Sequence, residues 1–138
     1  MNKKKNKLDI IIPIFNEEDN ISIIYNKIKG LKIHENYSII FIDDGSKDKS
    51  WNEIKKLIKK DKKVKGISFS RNFGHQISLS AGIDYSNSDI LIMMDGDLQH
   101  PPELIPQMLN KFYENYDVVQ MVKKDQVLLQ IKGYPKKN

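Results

Sequence analysis

The sequence predicts an α/β fold built on a mostly parallel central sheet. Short apolar runs rich in β-branched residues alternate with segments whose apolar residues recur every three or four positions. This succession is typical of βαβ units. In addition, the strongest apolar runs all end in polar or charged residues, as strands do when they run into the binding edge of a parallel sheet. The crossovers between such strands are expected to be right-handed.

Five apolar runs are predicted to be strands. The first, LDIIIPIF at residues 8–15, is a nearly continuous apolar stretch, which favours a strand that is buried on both faces. The other predicted strands are residues 37–42, 64–70, 89–94 and 117–122.

Helices are predicted after each of the first four strands. Ser50 and Glu53 have the spacing of a capping box, so the second helix is expected to begin there. Pro101 and Pro102 suit the first turn of the fourth helix. The third helix is predicted over residues 76–85. The predicted inner faces of the other three are Ile21, Ile24, Ile28 and Leu31; Trp51, Ile54, Leu57 and Ile58; and Leu104, Ile105, Met108, Leu109 and Phe112.

The composition favours one ordinary soluble domain. The chain has 138 residues, of which 39% are hydrophobic and 30% are charged, so a single domain over residues 1–138 with a packed core is expected. The absence of cysteine excludes disulfides, thiolate metal sites and a thiol nucleophile, and fits the reducing cytoplasm. The apolar run at residues 8–15 is too short for a secretory signal or a membrane span. Any contact with a membrane is therefore expected to be peripheral.

Lysine runs account for much of the formal net charge of +5, at residues 3–5, 55–65 and 136–137. Two interpretations stay open. The runs can be solvated faces and ends, or they can draw the chain to the anionic, cytoplasmic face of a membrane at about 1 kcal/mol per lysine. Nucleic acid is disfavoured as a partner, because the lysines are not interleaved with aromatic residues that stack on bases.

The most informative segment is MMDGDLQHPPE at residues 93–103, where Asp95 and Asp97 directly follow a predicted buried strand. Residues i and i+2 of an extended backbone point the same way, so these two carboxylates are expected to converge on a divalent cation, Mg²⁺ or Mn²⁺. Gly96 lets a diphosphate approach the backbone, and Gln99 can add a neutral oxygen. The competing interpretation is a surface turn in which Asp and Gly merely suit the backbone.

Other polar residues follow the remaining strands. Asp43 and Asp44 precede Gly45, and their carboxylates can accept hydrogen bonds from a nucleobase or ribose, although capping of a helix competes as an explanation. Arg71 is a candidate for a phosphate contact or, alternatively, for a structural ion pair. His75 and His100 lie beside these motifs but have no metal-ligand spacing.

Two nucleotide-binding fingerprints are absent from the sequence. Neither G-x-G-x-x-G nor G-x-x-x-x-G-K-[ST] occurs, so a nucleotide would have to be held by acids, a metal ion and a base pocket.

Four segments together resemble the inverting GT-A glycosyltransferases of family 2, and within them the synthases that attach a sugar to a polyprenyl or dolichyl phosphate. The four segments are IIPIFNEEDNI (11–21), FIDDGSKDKS (41–50), SRNFGHQISLSAGI (70–83) and MMDGDLQHPPELI (93–105). The resemblance covers residues 8–119 and implies a Rossmann-like, three-layer α/β/α GT-A domain that binds the sugar donor.

The resemblance also implies roles for individual residues. It implies that Pro13, Asn16 and Glu17 shape the nucleotide pocket together with Gly45 and Gly74, and that Asp43 or Asp44 contacts the base. It implies that Asp95, Asp97 and Gln99 hold Mg²⁺ or Mn²⁺ on the sugar diphosphate. Arg71 matches the arginine of the family near the donor, so Asp95, Asp97 and Arg71 are the implied catalytic residues.

The implied activity is transfer of a sugar, with inversion, from a UDP- or GDP-sugar to a polyprenyl phosphate. Residues 120–138 have no counterpart to the acceptor half of the family, and we expect them to be a divergent tail of a truncated product. A nucleotide-sugar-binding module without transferase activity is therefore an alternative, as is an interaction domain whose acids merely bind Mg²⁺. Neither the donor sugar nor the oligomeric state is specified by the sequence.

Overall fold

The computed structural model of the chain describes residues 5–124 and 128–135. It divides into two compact units, one up to Pro101 and one from Pro102. None of the helices in these described ranges is long and apolar enough to cross a membrane.

The first unit contains a parallel sheet of four strands in the order β3-β2-β1-β4. The strands are β1 (Lys7–Ile14), β2 (Asn36–Asp43), β3 (Val64–Ser68) and β4 (Ile90–Met93). The chain moves outward in one direction from β1 through β2 to β3, and then returns to place β4 on the other side of β1. This reversal is a topological switch point, which is where open parallel sheets bind ligands outside the carboxyl ends of their strands. The predicted parallel sheet is confirmed.

Helices cover both faces of this sheet. They are α1 (Ile21–Lys29), α2 (Ser50–Lys60) and α3 (His75–Tyr85). α3 lies so close to β1 that a Cβ on Gly82 would be 2.5 Å from Ile11 Cγ2, whereas α2 packs on the opposite face, over Gly66 of β3. On the α3 face, Ile11 and Ile40 form a buried cluster with their neighbours. The expected α/β architecture with helices on both sides is therefore confirmed.

Strands β1 and β2 form the centre of the hydrophobic core. Most of their side chains are fully buried whichever face they point to, because each strand has a neighbour on both sides and helices above and below. This double burial explains the nearly continuous apolar run that marked the first strand in the sequence. The fully buried side chains of these two strands include Leu8, Ile10, Ile11, Ile12, Ile39, Ile40, Phe41 and Ile42.

Helix α2 begins at Ser50 as predicted, but the capping box expected there is wrong. Lys49 is the N-cap residue and its side chain does not cap the helix; Ser50 is already helical, and its N–H donates to Asp48 Oδ1 at 2.9 Å. The Ser50 hydroxyl instead accepts a hydrogen bond from the backbone N–H of Glu17 at 2.9 Å. Glu53 pairs with Lys56 at 2.9 Å. Ser50 is fully buried, so its hydroxyl serves the neighbouring loop rather than its own helix.

The second unit begins with a short 3₁₀ turn, Pro102–Leu104, which leads into α4 (Ile105–Tyr113). Strands β5 (Tyr116–Lys124) and β6 (Leu128–Pro135) follow and pair antiparallel with each other. The fifth strand expected from the sequence corresponds to β5. The second strand of the hairpin lies in a segment that carried no strand prediction.

One polar cluster in the first unit joins the ends of α1 and α2. The Asp61 carboxylate accepts hydrogen bonds from the Tyr25 hydroxyl at 2.8 Å and from the Lys63 backbone N–H at 2.9 Å, and Lys29 Nζ lies 3.1 Å away. Burial alone would raise the pKa of Asp61, but these hydrogen bonds and the lysine charge outweigh it and hold the pKa below its ordinary value.

We expect Asp61→Asn to lower the free energy of unfolding by about 1–2 kcal/mol at neutral pH, because the charged acceptor of these hydrogen bonds is replaced by a neutral amide. The folded-state pKa of Asp61 is depressed, so its contribution is present above the unfolded pKa and is lost as the pH falls through the folded pKa. Urea unfolding measured from neutral to acidic pH should therefore show the two proteins converging in acid. Asp84→Asn, at an exposed helical position, is the control; a constant difference at all pH values would contradict the prediction.

Candidate functional site

A cavity of about 470 Å³ opens at the carboxyl edge of the sheet. It lies beyond the ends of β1, β2 and β4 and beside the first turn of α3, which is the switch point of the strand order. Its lining residues are Pro13, Ile14, Phe15, Glu17, Asp44, Asn72, Gly74, His75, Ser78, Asp95, Gly96 and Asp97. Seven of the residues that were given a site role from the sequence therefore meet here: Pro13, Glu17, Asp44, Gly74, Asp95, Gly96 and Asp97.

Asn16 is not among the lining residues and instead joins two loops. Its backbone N–H donates to Ser46 Oγ and its Oδ1 accepts from the Lys47 N–H, both at 2.9 Å. Its φ of 52° is unusual for a residue other than glycine, but asparagine tolerates this region better than most. Asn16 thus shapes the cavity indirectly, by fixing the loop after β1 against the loop after β2.

Glu17 lines the cavity and is anchored at both its backbone and its side chain. Its N–H donates to Ser50 Oγ at 2.9 Å, and its Oε2 accepts from Asn20 Nδ2 at 2.6 Å. The next residue continues the junction, because the Lys49 N–H donates to Glu18 Oε2 at 2.9 Å. The short contact between the Glu17 carboxylate and the Asn20 amide holds the Glu17 side chain in one orientation. It leaves the other carboxylate oxygen of Glu17 for a ligand.

Asp44 is an internal organiser of the loop before α3. It is only 4% exposed, and its carboxylate accepts from the N–H groups of Phe73 at 2.7 Å and Gly74 at 3.1 Å. Asn72 Nδ2 donates to it as well, at 3.1 Å. Three donors on one carboxylate satisfy most of its acceptor capacity, so Asp44 holds residues 72–74 in place at the wall of the cavity.

Asp43 has a different environment from its neighbour. It is 2% exposed, it is not among the lining residues, and its described hydrogen bond, from the Ser46 N–H, is long at 3.4 Å. Burial raises the pKa of Asp43 above its ordinary value, although the bonds to Ser46 oppose this shift. A weakly bonded, buried carboxyl is costly for folding. A purely structural role therefore does not explain why an acid occupies this position beside the cavity.

Gly45 and Arg71 meet behind the cavity wall. Gly45 has a φ of +70°, and a Cβ at this position would lie 2.4 Å from the backbone carbon of Arg71. The Arg71 guanidinium stacks on the Phe73 ring at 4.3 Å from the ring centroid. Within the described residues Arg71 has no ion pair, so the structural ion pair considered from the sequence is not observed. Its side chain is exposed and is available to an anionic ligand.

Asp95 and Asp97 both line the cavity, but the backbone between them forms a turn rather than the extended segment assumed from the sequence. Asp95 lies between two imidazoles, with His75 Nε2 3.4 Å from its Oδ1 and His100 Nδ1 3.7 Å from its Oδ2. Asp97 Oδ1 accepts from the Gln99 backbone N–H at 3.0 Å. Asp97 is thus bonded to the backbone of Gln99 and not to its side chain. Gln99 is not among the lining residues.

The charges of the lining residues leave the cavity strongly acidic. Its walls carry four carboxylates, those of Glu17, Asp44, Asp95 and Asp97, and none of the described lining residues is Lys or Arg. No group of three or more His, Asp or Glu side chains among the described residues is arranged to hold a metal. Two carboxylates with open positions beside them nevertheless fit Mg²⁺ or Mn²⁺, which are often held by one or two carboxylates and complete their shell with water and phosphate oxygens.

Several lining residues carried little signal in the sequence. His75 was considered without a metal-ligand spacing to support it, yet it lies in the cavity beside Asp95. Ser78, one turn further along α3, is fully buried and donates its hydroxyl to the Gly74 carbonyl at 3.2 Å. Asn72 and Phe15 line the walls as well. The only signal for Phe15 and Asn72 in the sequence was that Phe15 ends the first predicted strand and Asn72 follows the third.

Residues 9–127 match the sequence profile of the family Glycosyl transferase family 2. The chain is 44% identical over 116 residues to the uncharacterized glycosyltransferase YkcC of Bacillus subtilis, covering 83% of this chain and 36% of that protein. It is 39% identical over 115 residues to a prophage bactoprenol glucosyl transferase homolog of Escherichia coli, covering 82% of this chain and 38% of that protein. The chain thus spans a little over a third of the length of these relatives.

Solved structures share the fold at low identity. The S. aureus protein TarS, residues 1–349 in complex with UDP-GlcNAc, superposes with a TM-score of 0.70 and 18% identity, over 94% of this chain and 37% of that one. The mannosyltransferase PcManGT of Pyrobaculum calidifontis, in complex with GDP-Man and Mn²⁺, gives a TM-score of 0.63 and 14% identity over 73% and 33%. Both are glycosyltransferase folds, and at these identities the likeness concerns the fold alone.

We expect Gly45→Ala to destabilise the chain more than Gly74→Ala, by at least about 1 kcal/mol. Both glycines have positive φ, at +70° and +104°, and an L-residue pays about 1–3 kcal/mol of backbone strain in such regions. A Cβ on Gly45 would also collide with the Arg71 backbone, whereas a Cβ on Gly74 meets nothing within 4 Å. Thermal and urea unfolding of the two variants measure the difference; equal destabilisation would contradict the close approach of the two loops.

Proposed function

This chain belongs to glycosyl transferase family 2, and from that membership we propose that its first unit binds a nucleoside diphosphate sugar for transfer, with inversion, to a polyprenyl phosphate. The observation that carries the proposal is the acidic cavity at the switch point of the sheet. A donor diphosphate is itself anionic, so it enters a cavity walled by four carboxylates only together with a divalent cation that offsets the repulsion.

Asp95 and Asp97 are the residues that we propose to hold this cation, Mg²⁺ or Mn²⁺, with Gln99 as a further oxygen donor. Both carboxylates line the cavity, and Asp97 uses one oxygen for the Gln99 N–H, which leaves the other free. A divalent cation bound there supplies Lewis acidity to the departing nucleoside diphosphate. Gly96 packs closely on Ile14, because a Cβ at position 96 would lie 2.5 Å from Ile14 Cδ1. Glycine therefore allows the loop to lie directly against β1 where both residues line the cavity.

The nucleoside is proposed to lie between the loops that follow β1 and β2. Pro13 and Glu17 would form one wall, with Asn16 and Gly45 holding the two loops together behind it. Asp43 is the proposed acceptor for the base, because Asp44 is already occupied by the N–H groups of residues 73 and 74. Gly74 would allow close approach of the ligand, since the space over its Cα is open.

Arg71 is proposed to contact the donor phosphates. Its guanidinium is exposed and is held over the Phe73 ring, and Phe73 in turn is bonded to Asp44 through its backbone. A guanidinium in a stacked position is oriented before the ligand arrives, and it matches two phosphate oxygens at once. The role proposed for Arg71 is therefore neutralisation of charge on the leaving group.

The proposed acceptor is a polyprenyl phosphate, as the names of the bactoprenol glucosyl transferase relatives suggest. An acceptor phosphate oxygen would attack the anomeric carbon as the bond from that carbon to the diphosphate oxygen breaks, which inverts the anomeric centre. A phosphate is already ionised near neutral pH, so this attack needs no strong general base. The proposed reaction therefore requires no strong general base among the residues that line the cavity.

The lysine run of residues 55–65 is proposed to be a solvated face rather than a membrane contact. Its last part lies at the amino edge of the sheet, since the Ile39 N–H in β2 donates to the carbonyl of Lys63, which directly precedes β3. The cavity opens at the opposite edge, roughly 20 Å away along the strands. Docking of this run on a cytoplasmic membrane face would turn the cavity away from a lipid acceptor.

We expect Asp95→Asn and Asp97→Asn each to weaken the Mn²⁺-dependent binding of a UDP- or GDP-sugar by at least about tenfold, because a charged ligand of the cation is replaced by a neutral one. Calorimetric titration with and without Mn²⁺ measures the effect, and Asp84→Asn is the control at an exposed position. Donor affinity that is unchanged in both variants would reject the proposed cation site.

Formation of a lipid-linked sugar in the presence of polyprenyl phosphate vesicles separates the two functions considered from the sequence. Transfer supports the enzyme. Donor binding without transfer under any donor tested would instead support a nucleotide-sugar-binding module.

We expect Asp43→Asn to stabilise the chain at neutral pH and to weaken donor binding by about 1 kcal/mol, roughly fivefold. The folded-state pKa of Asp43 is raised, so stability falls as the pH rises from the unfolded pKa through the folded pKa, and the ionised carboxylate is a cost above that window. The amide removes this cost. Thermal melts should show a higher midpoint for Asp43→Asn than for the original chain at neutral pH, and this difference should disappear in acid. A variant with lower stability at neutral pH and full donor affinity would contradict the proposed role.

A further inference from the structure

The loop that carries the proposed cation ligands is short and depends on side-chain contacts to keep its shape. Beyond Met94, whose N–H donates to the Ile11 carbonyl at 3.1 Å, the parallel ladder between β4 and β1 ends. Leu98 has a φ of 64°, so the chain reverses sharply at a residue that rarely adopts this conformation. The first backbone donor past the ladder is the N–H of Asp95, and its partner determines how Asp95 is oriented.

That partner is His100. The Asp95 N–H donates to His100 Nδ1 at 3.1 Å, whereas the same nitrogen lies 3.7 Å from the Asp95 carboxylate. A ring nitrogen that accepts an N–H carries no proton itself, so the backbone hydrogen bond and not a charge pair is the contact that this geometry makes. His100 therefore closes a ring of six residues, 95–100, by joining its side chain to the backbone at the start of the loop.

We propose that His100 is a positioning residue, whose Nδ1 holds the backbone of Asp95 so that the carboxylates of Asp95 and Asp97 are presented together to a divalent cation. The inference rests on the proposed function for the identity of that cation. His100 acts through Asp95 and contacts neither donor nor acceptor in this role. Outer partners that orient metal ligands affect metal affinity by about 10–100-fold when they are removed.

Three substitutions separate the accepting nitrogen from the ring that carries it. His100→Asn places an amide oxygen where Nδ1 lies, because both atoms are bonded to Cγ. His100→Gln places its oxygen nearer the position of Nε2, and His100→Phe keeps a ring but has no acceptor. His34→Phe is the matched control, since it makes the same change at an exposed histidine outside the cavity.

The experiment measures two quantities on the full chain. Amide hydrogen exchange of Asp95, followed by NMR, reports the hydrogen bond directly and needs no metal. Titration of Mn²⁺ in the presence of UDP or GDP reports the affinity for the cation, and thermal midpoints show whether each variant is folded. We expect His100→Phe and His100→Gln to exchange Asp95 faster and to bind Mn²⁺ about tenfold more weakly, and His100→Asn to stay within about threefold of the original chain.

Two results would overturn the inference while leaving the proposed function intact. One is unchanged Mn²⁺ affinity in both His100→Phe and His100→Gln. The other is a loss in His100→Asn as large as that in His100→Phe, because the ring rather than the acceptor would then be responsible. If the original chain binds no Mn²⁺ with either nucleotide, the proposed function itself fails, and the positioning role fails with it.

Discussion

The parallel pairing of β1 with β2 on one side and with β4 on the other is the constraint on which the rest of the site depends. Parallel strands end at the same edge, so the loops after β1, β2 and β4 have to meet there. The strand order reverses at β1, and this reversal opens a crevice between the loops that leave β1 and β4. Asp95 and Glu17, which are 78 positions apart in the chain, share the wall of one cavity for this reason.

The acids at this edge carry the same charge but differ in what surrounds them. Asp44 is satisfied by three donors from residues 72–74 and works as part of the scaffold. Asp43, one residue earlier, is buried, is hydrogen-bonded only to Ser46 among the described residues, and has a raised pKa. Asp95 and Asp97 are more open and face solvent and the cavity. Neighbouring carboxylates thus divide into those that build the wall and those that are left for a ligand, according to how many N–H groups reach them.

Family membership and fold agree with this geometry. The GT-A glycosyltransferase fold implied by the four matching segments is confirmed by the solved structures that superpose on the chain. The loops that form the cavity are held by reciprocal bonds between backbone and side chains, such as those joining Asn16 to Ser46 and Lys47. These bonds hold the cavity walls in place before any donor binds. Less conformational entropy is therefore lost when a donor binds.

The amino-acid sequence by itself determined the α/β class, the four parallel strands of the first unit and the carboxyl edge as the place of the candidate site. These features follow from local patterns, because apolar periodicity and strand-end polarity act within a few residues. Only the tertiary structure decided that Ser50 bonds to the loop after β1 and does not cap its own helix, that Asp44 holds the loop before α3, and that His100 bonds to the backbone of Asp95. Each of these outcomes depends on which donor comes within about 3 Å of an oxygen or nitrogen, and for Ser50 and Asp44 that donor belongs to a distant part of the chain, brought near by the order of the strands.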